Sequence, residues 1–189
     1  MGTASSSAKA PSCSSWSART PRAREARIYA DLAGAALTSD AHHETAPHPD
    51  GAMAAAAMRG CLRDAGARPD DVDLVVAHGT GTPLNDVAET QAIKAALGAR
   101  ARAIPVTAPK SMVGHLIGAA GALAAMTGVL AIRDGMVPPT INLEHPDPAC
   151  DLDYVPRAAR RAAVRLALVN AFGFGGQNCV AAVRAPAPR

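Results

Sequence analysis

Residues Val75 to Asp86 read V-V-A-H-G-T-G-T-P-L-N-D. An apolar run ends on His78, and Gly79, Thr80, Gly81 and Thr82 follow as an alternating loop. A short, continuous apolar run bounded by glycine reads as a strand covered on both faces, so Leu74 to Ala77 is expected inside a sheet. The glycines remove bulk and the threonines supply hydroxyls, a composition suited to a polar ligand that approaches the backbone. Further on, Pro109 to His115 reads P-K-S-M-V-G-H, with Lys110 and His115 five residues apart. Taken alone, His78 fits a hydrogen-bonding role inside the fold equally well. Two imidazoles and an ammonium brought together would polarise a carbonyl or hold a carboxylate.

The elements around these stretches follow from periodicity. Asp86 is expected to cap a helix running to about Leu97, with Ala88, Ala92, Ile93, Ala96 and Leu97 inward and Gly98 as its stop. Ile104 to Thr107 reads as a second buried strand. Leu116 to Asp134 reads as a long helix whose Gly118 to Ala122 segment is made of small residues, and it is expected to be central and buried. Upstream, Ile28, Tyr29, Leu32 and Leu37 suit a strand with a bend near Gly34. Asp50 is expected to cap a helix carrying Met53, Met58, Cys61 and Leu62 and ending at Gly66. Pro138, Pro139, Pro146 and Pro148 mark an extended connection. Leu166 to Phe172 and Asn178 to Val183 read as strands joined by a glycine-rich turn. Such alternation predicts an α/β layered fold.

Composition narrows the function classes. Aromatic residues are 3% of the 189-residue chain while hydrophobic residues are 49%, so the core must be built from small aliphatic side chains in close contact. The net charge of +3 is modest, and beyond Arg19 to Arg27 the arginines are dispersed, which argues against a nucleic-acid partner. Cys13, Cys61, Cys150 and Cys179 form no C-x-x-C pair and no zinc spacing, so no metal and a reducing, cytoplasmic setting are expected. No apolar run reaches membrane-spanning length and no secretory apolar segment opens the chain, so no membrane association is expected. Residues 1–24 are rich in Ser, Ala, Pro and Arg and read as disordered, leaving 25–189 as one domain.

Three motifs in order, A-H-G-T-G-T-P-L-N-D-x-x-E, P-K-S-M-V-G-H-L-I-G-A-A-G and N-A-F-G-F-G-G-Q-N, resemble the β-ketoacyl–acyl-carrier-protein synthases, condensing enzymes of type II systems. The resemblance spans about Arg24 to Arg184. It implies a thiolase-like layered α/β fold, here its C-terminal half, with a mixed sheet and a buried central helix. It implies decarboxylative Claisen condensation of acyl and malonyl thioesters, in fatty-acid or polyketide biosynthesis. His78 and His115 match the two histidines that hydrogen-bond the malonyl thioester carbonyl, and Lys110 matches the lysine of the same site. Glu89 matches the glutamate that orders this network. Thr80 and Thr82 match the threonines that contact phosphopantetheine. Phe174 matches the gate phenylalanine, whose backbone N–H serves the acyl-transfer oxyanion hole. No cofactor is implied, since substrates ride on the phosphopantetheine of an acyl carrier protein. The implied partners are that carrier protein and a second subunit, in a homodimer or heterodimer.

The chain departs from the family at the nucleophile. The family cysteine stands in a T-A-C-S-S-type turn at a helix N-terminus, which stabilises the thiolate. Cys13-Ser14-Ser15 has a local likeness to it but precedes His78 by only 65 residues, with no strand leading in and no amphipathic helix following. Cys61, Cys150 and Cys179 are worse candidates, so no nucleophile is expected in this chain. Residues 1–24 are read as disordered or as an out-of-frame translation of the strand that the resemblance places there. The sequence thus reads as a truncated synthase. A non-catalytic partner of the chain-length-factor kind and an inactive pseudogene fragment are the alternatives. Pathway and acyl-chain length stay open.

Overall fold

The computed structural model describes residues 27–187, so the 1–24 segment and Cys13 lie outside the described residues. In chain order the elements are β1 (Asp31–Ser39), α1 (Ala52–Asp64), β2 (Leu74–Val76), α2 (Pro83–Leu97), β3 (Val106–Thr107) and a short α3 (Lys110–Val113). There follow α4 (Ala120–Asp134), β4 (Met136–Val137), β5 (Arg160–Arg161), β6 (Leu166–Gly173) and β7 (Gln177–Arg184). Five strands form one mixed sheet in the order β1-β7-β6-β2-β3. β2 runs parallel to β3 and β6, while β7 is antiparallel to β6 and β1. β4 and β5 make a separate antiparallel pair.

The period of two along the strands sorts side chains to two helical layers. Val75, Ala77, Leu168, Val180 and Ala182 face α1 and α2 and join Met58, Cys61 and Ile93. Leu74, Val76, Ala167, Val169 and Val183 face α4 and join Ala124 and Ala131. β2 is fully buried because it lies between two strands and between two layers, which explains its unbroken apolar run. The bend foreseen near Gly34 is a register shift between Leu32 and Gly34.

Several boundaries depart from expectation. Gly51, in the left-handed region at φ 61°, is the N-cap of α1, and Asp50 assists by accepting the Ala52 N–H at 2.8 Å. α2 opens at Pro83, so Asp86 sits inside its first turn and not before it. A proline is well placed there because its missing N–H has no helical partner to lose. α4 begins at Ala120, after a single turn of 3-10 helix at Ile117–Ala119. Its expected burial holds for one stripe only, Ala124, Gly128 and Ala131, and Leu130 is 37% exposed. On that stripe an added Cβ at Gly128 would stand 2.9 Å from Val183 Cγ2, so glycine sets how closely helix and sheet approach. The helical stretch Ile117–Asp134 is, by length and composition, apolar enough to cross a membrane, contrary to the reading that no run is. Its buried stripe packs on β6 and β7.

Candidate active site

β2 delivers His78 to the end of the sheet, where α2 starts and the turn after β3 returns. His78 is 8% exposed. Its Nδ1 accepts the Phe172 N–H at 3.2 Å and lies 3.3 Å from Lys110 Nζ. Lys110 Nζ also donates to the His78 carbonyl oxygen. With two donors on Nδ1, the ring proton must sit on Nε2. Burial, then the Lys110 ammonium and His115, push the His78 imidazole down to about 3, so it stays neutral.

His115 follows α3 on an exposed loop. Its Nδ1 accepts the Ile117 N–H at 3.0 Å, which again leaves the proton on Nε2. The two imidazoles stand 5.8 Å apart between ring centroids, with planes at 80°. His78, Lys110, His115, Ile117, Asn170 and Phe172 surround a cavity of about 60 Å³. Lys110 is half-buried, and burial lowers its pKa against the opposing pull of Glu89 and Asp86.

Glu89, on α2, braces the backbone that carries His78. Its carboxylate accepts the His78 N–H at 2.8 Å, the Gly79 N–H at 2.9 Å and the Asn170 Nδ2–H at 2.9 Å. Burial pushes the Glu89 carboxyl up, and the N–H groups of Gly79, Asn170 and His78 work against that shift. Asn170 must turn its amide nitrogen to Glu89, because a carboxylate only accepts. Its Oδ1 is left buried and without a partner among the described residues.

Thr80 and Thr82 hydrogen-bond each other through their hydroxyls at 3.0 Å. They line an adjoining cavity of about 520 Å³ whose wall also includes Lys110 and His115. Gly79, at φ 44°, fits beneath this loop because a Cβ there would meet Ala108 Cβ at 2.6 Å. Asp86 accepts the Gly81 N–H at 3.3 Å, which ties the loop to α2.

Phe174 lies in the turn after β6 with its side chain 78% exposed. The aromatic ring beside His78 is Phe172, at 5.5 Å between centroids. The turn is tied to the segment after β1: Asp40 N–H donates to Gly176 O at 2.8 Å, Gly175 N–H to Glu44 O at 2.6 Å, and Asn178 Nδ2–H to Asp40 Oδ1 at 2.7 Å. Sequence reasoning paired Phe172 with Phe174 as an apolar gate but did not place Phe172 beside His78 or Asn170 on Glu89, and it did not single out Asp40. Phe172 and Asn170 sit within the quoted N-A-F-G-F-G-G-Q-N motif, so their proximity to the glycines was the available signal.

None of the three cysteines among the described residues lines the histidine cavity. Cys61, on the inward face of α1, is buried in the core, and that burial pushes its thiol up to about 12. Cys150 is on the wall of the larger cavity, where burial also raises its thiol. Neither is poised to be a thiolate.

A strand-borne buried histidine, a second histidine and a lysine thus meet at the end of a mixed five-stranded sheet. Residues 29–144 match the family described as β-ketoacyl synthase, C-terminal domain. This chain belongs to the β-ketoacyl synthase family. It is 53% identical over 162 residues to a 3-oxoacyl-[acyl-carrier-protein] synthase 2 of Synechocystis, covering 86% of this chain and 39% of that protein. It is 49% identical over 162 residues to nodulation protein E of a Rhizobium species, covering 86% of this chain and 40% of that one. Among solved structures it is similar to a chain of a type II polyketide ketosynthase complex that holds its acyl-carrier protein and a hexaketide. The TM-score is 0.86 at 40% identity, over 88% of this chain and 41% of that one. A β-ketoacyl synthase from Burkholderia phymatum gives a TM-score of 0.82 at 38% identity, over 88% and 40%. The chain thus spans about two-fifths of the length of the relatives it matches. The fold is thiolase-like, with a mixed sheet.

Proposed function

We propose that this chain carries the malonyl-decarboxylating half of a β-ketoacyl-[acyl-carrier-protein] synthase site. The observation behind this reading is the pair of imidazoles whose Nδ1 atoms both accept a backbone N–H, so that both present Nε2–H. A malonyl thioester on phosphopantetheine would enter past Thr80 and Thr82. As the C–C bond to its carboxylate breaks, carbon dioxide leaves and the electron pair moves into an enolate. The charge gathers on the thioester oxygen, where His78 and His115 donate two hydrogen bonds. His78 suits this role because it is neutral and its proton is fixed on one nitrogen. Lys110 holds His78 in place and adds positive charge beside the enolate. The enolate carbon then attacks an acyl thioester, whose thiolate departs.

In this reading the acyl group rides on a cysteine that is none of the four in this chain, Phe174 gives its backbone N–H to the acyl-transfer step, and no metal or redox cofactor takes part. The working partners are an acyl carrier protein and a second synthase subunit, in the cytoplasm. A non-catalytic, chain-length-factor-like role is less favoured because both histidines and the lysine are present and converge.

The test is a chimera in which residues 27–187 replace the matching part of the Synechocystis relative. His115→Ala should slow carbon dioxide release from malonyl–carrier protein by roughly two to three orders of magnitude. Acylation of the chimera's cysteine should persist, since it draws on other donors. Release at the parental rate would show that His115 is no donor. Mass spectrometry of the unmodified chain after exposure to an acyl donor should find no thioester, and a stoichiometric adduct on any of its cysteines would overturn the placement of the nucleophile.

A further inference from the structure

We propose that Ser111 and Thr140 are positioning residues for Lys110. Their hydroxyls clamp the turn between β3 and α3 onto the chain segment that follows β4, and so hold the Lys110 ammonium against His78. This rests on the reading of Lys110 as part of the decarboxylating site.

Lys110 is the first residue of α3, which is four residues long and buries none of them. A single helical turn is not stable by itself in water, and without a buried face it gains no support from packing. The position of Lys110 must therefore be set from outside the helix. Hydroxyls set it. Ser111 Oγ donates to the Ala108 carbonyl oxygen at 2.8 Å and accepts the Ile141 N–H at 3.0 Å. Thr140 Oγ1 accepts the Ala108 N–H at 3.1 Å. One residue earlier, Thr107 Oγ1 donates to the Pro138 carbonyl oxygen at 2.7 Å. A hydroxyl donates and accepts at once, so Ser111 links two backbone segments that offer a carbonyl on one side and an N–H on the other.

The far end of this clamp is anchored in the core. Thr140 N–H donates to the Val155 carbonyl oxygen at 2.9 Å, and Val155 is 2% exposed. Thr140 also pairs with Pro156 across an isolated β-bridge. The segment from Thr140 to Leu143 walls the cavity of about 520 Å³, on which Lys110 and Ser111 also stand. At the near end Lys110 Nζ donates to the His78 carbonyl oxygen and lies 3.3 Å from His78 Nδ1. Glu89 holds the backbone of His78 from α2, whereas the hydroxyls hold the backbone of Lys110 from the segment after β4. The two partners of one contact are thus fixed by separate devices.

The experiment follows the Lys110 amine directly, without substrate. The chain has three lysines, Lys9, Lys94 and Lys110. The full chain is labelled with 13C,15N-lysine and titrated by NMR, in solution or by magic-angle spinning of sedimented protein. The Lys110 signal is the one lost in Lys110→Arg. In the parent it should titrate below the ordinary lysine value, because burial outweighs the opposing pull of Glu89 and Asp86. Ser111→Ala and Thr140→Val each open the clamp and free the ammonium to reach water, so each should move the Lys110 titration up toward that ordinary value. Ser111→Thr and Thr140→Ser keep the hydroxyls and should titrate as the parent does. Met58→Ala, which opens a void in the core on α1, should leave Lys110 unmoved, and this separates positioning from a general loss of stability. If Ser111→Ala does not fold, Thr140→Val decides in its place. A Lys110 titration that stays at the parental value in the opened variants overturns the proposal. So does a parent that already titrates at the ordinary value, or an equal upward shift in Ser111→Thr or Met58→Ala. Neither result bears on decarboxylation, which the chimera measures separately.

Discussion

On one face of the main sheet α1 and α2 bury Met58, Cys61 and Ile93 completely, whereas on the other α4 buries Ala124, Gly128 and Ala131 and leaves Leu130 37% exposed. The strands supply both faces with the same alternating small aliphatic residues, so the difference lies in the helical cover. The open side continues past α4 to Ile117, Val113 and Met112, exposed by 84%, 48% and 39%. The site straddles this divide. Glu89 and Asn170, which must exclude water to brace the His78 backbone, belong to the closed side. His115, which must meet a substrate, stands on the open side. Burial and access are thus assigned to different faces of one sheet.

The comparison can be broken most directly by truncation. Met58→Ala on α1 should cost roughly 2–5 kcal/mol, because a large side chain leaves a void that its neighbours cannot fill. Leu130→Ala on α4 should cost less than about 1 kcal/mol. Urea midpoints measure both, and equal costs would erase the distinction between the faces.

Acid should act next most strongly, and on the closed side. The unfolded His78 imidazole binds a proton below its ordinary value of 6.5, while the folded one does so only near 3. Between those values the unfolded state holds more protons, so stability is present above 6.5 and is lost as pH falls toward 3, by on the order of a few kcal/mol. Urea melts across that window should show a steeper loss for the parent than for His78→Gln. Parallel curves would mean that His78 is not shielded from protonation.

Two glycines of α4 sharpen the contrast within a single helix. Gly128→Ala should destabilise by about 1–3 kcal/mol, since its Cβ would press on the strand-borne Val183. Gly121→Ala, where the nearest atom is Ala171 Cβ at 4.0 Å, should be neutral or stabilising by up to about 1 kcal/mol through helix propensity. Thermal melts of the two variants should move in opposite directions, and a shared direction would count against this account of α4.

Local pattern alone determined the strand at Leu74 to Val76, the inward face of α2, the bend at Gly34 and the two motifs that carry His78, Lys110, His115 and Glu89. These features depend on neighbours within a few residues, through side-chain period, glycine freedom and helix stops. What escaped the sequence depends on distant backbone. The sheet order, with β6 inserted between β7 and β2, has no local signature. One miss was local: α4 starts late because the chain folds back at Ile117 to meet His115 before it can enter a helix. The His78 tautomer is set by the N–H of Phe172, 94 residues away, and the brace on Glu89 by Asn170, 81 residues away. A sequence names the groups able to donate and accept, but which nitrogen keeps its proton is decided by where the backbone N–H groups come to rest, and only tertiary packing brings them there.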